Sequence, residues 1–126
     1  MIWSIYRHYI TVIIIFMSLV PPSRNINNSK LYFSKSELCK ILNCYSTGVS
    51  KGKWKDYAIN FNKNEAIFFI FKHSLASPDC ILKKSKEKKK DRITYNLSIS
   101  NNKISRFNSI DGLIATLKRN QFKIVV

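Results

Sequence analysis

A chain of 126 residues has room for one domain, and its hydrophobic content of 45% with 13% aromatics excludes wholesale disorder. With 22 Lys+Arg against 7 Asp+Glu the net charge is +15, a field that attracts polyanions such as nucleic acid or an anionic membrane surface. The same charge has a plain compositional source. Lys outnumbers Arg 17 to 5, and Ile, Asn and Lys make up 47 of the residues, the bias of an AT-rich coding sequence whatever the function.

Residues 1–30 read as an N-terminal hydrophobic segment and linker. Arg7 and His8 precede an apolar run from Ile10 to Val20, long enough for a signal-peptide core and short of the ~20 residues of a spanning helix. Extending the span over residues 2–20 makes a membrane anchor, at the cost of Arg7 inside it, about 2.5–3.5 kcal/mol at mid-membrane. No small-residue cleavage site follows; Pro21 and Pro22 stand there. The favoured expectation is a start at Met17, with residues 1–16 upstream of it, a polar tail and a cytoplasmic protein; membrane anchoring through residues 2–20 is the alternative.

From residue 31 a single domain is expected to run to 126. Leu31-Tyr32-Phe33 suggests a short strand. Ser34 with Glu37 three residues on is a capping box, which satisfies two orphan amides at a helix start. Leu38, Ile41, Leu42, Tyr45 and Val49 then fall on one helical stripe, and Gly48 and Gly52 loosen and end it. Trp54 to Phe61 reads as a strand, because Tyr57, Ile59 and Phe61 alternate with Ala58 and Asn60. Asn62 to Glu65 supplies a turn into Ala66–Phe71, which is apolar on both faces and belongs inside a sheet. Cys80-Ile81-Leu82 is a third strand, followed by a charged loop from Lys83 to Arg92. Ile93, Tyr95, Leu97 and Ile99 alternate cleanly with polar residues, and Asn101-Asn102-Lys103 turns this strand into another at Ile104. A second helix over about 110–120 buries Leu113, Ile114 and Leu117, and Phe122 to Val126 closes as a strand or tail. The expected fold is α+β: an antiparallel sheet of about four to five strands with two helices packed on one face.

Chemistry is sparse. Three cysteines make no closed disulfide framework, and Cys39 and Cys44 point about 140° apart on the helix, unable to share a metal. Cys39, Cys44 and Cys80 are expected as reduced, semi-buried thiols. His73 at a strand end reads as solvated. Asp56, between Trp54 and Tyr57, is the one acid with the neighbourhood of a general base, and more readily caps a bend. No catalytic, metal or cofactor-binding residue is singled out, and no enzyme activity or cofactor is expected. The Lys83–Arg92 run carries seven cations and two acids in ten residues. Lys83, Lys84, Lys86, Lys88, Lys89, Lys90 and Arg92 are candidate phosphate contacts on a loop, set against a solvated hairpin tip. Trp54, Tyr57, Phe68, Phe69 and Phe71 are a candidate stacking platform, set against a plain core.

Phe33, Glu37-Leu38, Ile41-Leu42, Tyr45, Val49, the block Gly52-Lys53-Trp54-Lys55-Asp56-Tyr57-Ala58-Ile59 and Ala66–Phe71 resemble the DUF2794 family of bacterial proteins. The resemblance covers about residues 31–120, its specific part being Gly52, Trp54, Asp56, Tyr57, Ala58 and Ile59. Where the family carries two arginines after its Phe-x-x-Phe strand this chain has Lys72-His73, and Arg106-Phe107-Asn108-Ser109 replaces an Arg-Gly-His stretch. What the resemblance implies is a short cytosolic, alphaproteobacterial protein of unassigned role. Two functional expectations stand: a non-enzymatic protein-interaction or accessory module, and a nucleic-acid-binding module using the Lys83–Arg92 loop.

Overall fold

The computed structural model describes residues 30–73, 77–87, 89–100 and 103–122. The apolar run before Val20, the Met17 start, Lys88, the turn residues Asn101 and Asn102 and the tail after Phe122 lie outside them. Helix α1 (Lys35–Ser50) leads into strands β1 (Asp56–Phe61), β2 (Glu65–Phe71), β3 (Cys80–Glu87), β4 (Arg92–Ile99) and β5 (Ser105–Phe107), and helix α2 (Ile110–Gln121) follows. The sheet is an antiparallel meander in chain order β1-β2-β3-β4-β5. Both helices cover one face, so the α+β expectation holds as made.

Local chemistry explains the elements. The capping box at Ser34 and Glu37 is formed in both directions, at 3.1 Å and 2.7 Å. Leu38, Ile41, Leu42, Cys44 and Tyr45 are buried along α1, and Val49 packs against the same core. Across the sheet Phe68, Leu82 and Leu97 stand in one row on the helix side, each 2% exposed or less. Ile67, Phe69, Phe71 and Ile81 lie on the opposite face, half-buried. Ala66–Phe71 thus sits inside the sheet with both faces partly covered, as its double-sided apolar pattern predicts.

The helix-to-strand corner is the tightest part of the fold. Gly52 adopts φ +72°, a left-handed conformation that other residues enter only with strain, and the chain reverses there. Gly48 does more than loosen the helix. A Cβ at that position would run into the ring of Trp54 at Cε3, so the missing side chain is the slot the indole fills. Trp54 is 1% exposed there and lies ahead of the strand, which begins at Asp56.

Three other expectations are corrected. Leu31-Tyr32-Phe33 is irregular chain, with Leu31 N–H donating to Asn62 O at 2.8 Å. The third strand runs on through Lys83 to Glu87, because each of these residues has a β4 partner from Asn96 back to Arg92. The last strand starts at Ser105, leaving Ile104 66% exposed before it.

Candidate functional site

Extending β3 to Glu87 changes what the lysine run is. Successive residues of a strand point to opposite faces. Lys84 and Lys86 therefore share the helix side with Leu82, and Lys83 the other side with Ile81. Only residues 88–91 remain between the strands.

Lys84 is a structural residue. Its Nζ donates to Glu37 Oε1 at 2.7 Å and to Tyr32 O at 2.9 Å, and both side chains of the ion pair are nearly out of solvent, 11% and 10% exposed. Tyr95 O–H donates to the other carboxylate oxygen of Glu37. The capping acid of α1 thus holds β3, β4 and the chain entering the domain. Burial pushes its pKa up; the hydrogen bonds from Lys84, Tyr95 and Ser34 outweigh that and leave it below the ordinary glutamate value. Lys84 is thereby withdrawn from the phosphate-contact set.

The rest of the run is partly countered. Lys83 faces Glu65 at 3.9 Å, Lys86 faces Asp91 at 3.1 Å, and Glu87 pairs with Arg106 at 3.4 Å. Lys89, Lys90 and Arg92 are exposed without an acidic partner. With Lys40–Asp111 at 2.7 Å and Lys72–Asp79 at 3.6 Å, six of the chain's seven acids are engaged in ion pairs. The seventh, Asp56, is exposed and accepts the Tyr57 amide at 2.8 Å, the bend-capping role rather than that of a base.

A second group of cations went unnoticed in the sequence. Lys40 of α1 pairs with Asp111 at the start of α2, whereas Lys51 at the end of α1 lies 5.0 Å over the ring of Phe122 at the end of α2. The helices are therefore parallel, and their C-termini meet. Lys51, Lys53, Lys55, Lys118 and Arg119 are exposed at this end, and none pairs with an acidic side chain. The signal was available as Lys51-x-Lys53-x-Lys55, but nothing in a linear reading sets Lys118 and Arg119 beside it.

The aromatic candidates separate. Trp54 and Phe68 are core, while Tyr57 stacks on Phe68 at 5.2 Å and meets Tyr45 edge-on at 4.9 Å. Only Phe69 and Phe71 remain on the far face. The family-block residues have structural duties: Gly52 reverses the chain, Trp54 fills the Gly48 slot, Asp56 caps, and Tyr57, Ala58 and Ile59 build β1. Trp54 Nε1–H donates to Asp79 Oδ2 at 3.3 Å, and Ser100 O–H donates to Asp79 Oδ1 at 3.1 Å, so this 8%-exposed carboxylate ties the corner to β3 and β4.

Cys39 is exposed, but Cys44 and Cys80 are fully buried rather than semi-buried. Burial lifts the Cys44 thiol to about 11 and that of Cys80 further, opposite to the shift that makes a nucleophile. Among the described residues no group of three His, Cys, Asp or Glu is placed to hold a metal ion, and no helix is long and apolar enough to cross a membrane. His73 is exposed.

The architecture defines a small basic α+β meander domain with two parallel helices on one side. Residues 31–108 match the family described as Protein of unknown function (DUF2794), and the chain belongs to that family. No curated protein and no solved structure matches it.

Proposed function

We propose that the domain is a non-enzymatic binding module that holds nucleic acid by its phosphate backbone, without reading sequence. The observation that carries this reading is the distribution of uncompensated charge. Six of seven acids are spent on cations within the fold, while Lys51, Lys53, Lys55, Lys118 and Arg119 at the helix ends and Lys89, Lys90 and Arg92 at the hairpin stay exposed. The helix dipoles account for part of the first cluster. Two C-termini supply together about one negative elementary charge, and five cations exceed it even after Asp56 is subtracted. AT-rich composition supplies lysines but does not choose which of them lack an acid.

A second reading, a protein-interaction module, is favoured by one observation. Ile67, Phe69, Phe71 and Ile81 form a half-buried apolar block on the face away from α1 and α2. The test is anisotropy of labelled single-stranded and duplex oligonucleotides with the full chain across a salt series. Backbone binding predicts a log–log slope of about 0.9 per contact on duplex and about 0.7 on single strands, reduced in Lys51→Gln/Lys53→Gln/Lys55→Gln. A flat salt response, or one untouched by neutralising either cluster, overturns the reading and moves the search to protein partners on the apolar block.

A further inference from the structure

The edge between β4 and α2 contains a cleft that the binding reading above does not use. Its origin is a mismatch in strand length. The β4–β5 register pairs Leu97 with Ser105, which would set residue 103 opposite Ile99, but β5 begins only at Ser105. Ile99 at the end of β4 therefore lacks a cross-strand neighbour on that side. Helix α2 runs on above the gap. Its buried stripe of Leu113 and Leu117 continues by the i+3, i+4 rule to Asn120 and Gln121, where apolar side chains would have filled the space. The result is a cavity of about 320 Å³ with Leu97 and Ile99 as floor and Ser105, Thr116, Asn120 and Gln121 as walls. This is the low end of the ligand-site range, roughly 300–1,000 Å³.

The charge of the lining is one-sided. Among the described residues that line it Lys103 is the only ionic one, and none of the chain's seven acids is among them. Arg119 at the rim donates to Thr116 Oγ1 at 3.2 Å. An apolar floor, hydroxyl and amide walls and one ammonium at the mouth together select a specific ligand chemistry. We propose that this cleft binds a small organic anion with an apolar body: carboxylate at Lys103, with Ser105 and Thr116 able to donate to it, and hydrocarbon over Ile99 and Leu97. A neutral ligand of the same shape leaves Lys103 unused.

The probes are hexanoate and benzoate, with hexanamide and benzamide as neutral isosteres, titrated into the ¹⁵N-labelled full chain at physiological salt. The expected result is saturable amide shifts confined to Ile99, Ser105, Thr116 and Asn120, with the acids at least roughly tenfold tighter than the amides. Lys103→Met should erase that preference and leave the spectrum otherwise intact. Thr116→Leu and, separately, Asn120→Leu should close the cleft and abolish binding while the melting temperature holds. Shifts scattered over the basic surface, equal affinity for acids and amides, or binding that survives both closing variants overturns the proposal.

Discussion

The β3–β4 hairpin and the helix-end corner look alike in sequence, each a run of lysines broken by one or two other residues, yet the fold treats them in opposite ways. In the hairpin, strand alternation sends Lys84 inward to Glu37 and lays Lys83 and Lys86 against Glu65 and Asp91. At the corner the chain is reversing around Gly52, and Lys51, Lys53 and Lys55 face solvent without an ion pair to an acidic side chain. Cation density along a chain is therefore a poor guide to surface charge. What decides is where the few acids stand, and here most are opposite the hairpin.

That contrast can be broken most sharply at Lys84. Removing one partner of a buried ion pair leaves the other charge stranded, so Lys84→Ala should cost about 3–5 kcal/mol in urea unfolding. Lys89→Ala, on the exposed turn of the same run, should stay within about 0.5 kcal/mol. Equal effects at the two sites would mean the run is one solvated loop after all. The corner has its own structural element, and Gly48→Ala tests it. The new methyl meets the Trp54 ring, and overpacking of this kind costs about 1–3 kcal/mol, with a red shift of buried-indole emission as an independent readout.

Binding sharpens the comparison at a smaller scale. Neutralising Lys51, Lys53 and Lys55 should lower the duplex salt slope by about 2.7, whereas Lys83→Gln with Lys86→Gln should lower it by well under the roughly 1.8 expected of two free contacts. The smallest effect is on pH. Glu37 has a folded pKa below its ordinary value, so its contribution is fully present above that ordinary value, near 4.5, and is lost as pH falls through the lower folded one. Glu37→Gln should flatten this acid limb of the stability curve; a limb that persists unchanged assigns it to other carboxylates.

Much of this fold was legible in advance because local and global signals agree. The capping box of α1, the helical stripe to Tyr45 and the alternation of β4 each follow from chemistry within a few residues. The site was less legible. Lys83–Glu87 resists being read as strand because lysine has low β propensity, and what extends the strand is pairing with Arg92–Asn96, a non-local term. The same holds for Asp79, whose partners Trp54 and Ser100 lie 25 and 21 residues away. The cleft beside Ile99 depends on where a ladder stops, which no residue pattern near it announces.

The meander order of the sheet also bears on how the chain reaches this state. Every strand pairs with its neighbour in sequence, so the sheet can assemble by closing short loops, each at small entropic cost. Helix α1 is different: its ties to Lys84 and Tyr95 span 47 and 58 residues and reach over two and three intervening strands. A sheet that zips locally and a helix tied to β3 and β4 by contacts this distant in sequence are expected to leave the closing of those ties until after the strands have paired. Until those ties close, the row of Phe68, Leu82 and Leu97 is expected to lack part of its cover, and a net charge of +15 disfavours association of molecules in that state.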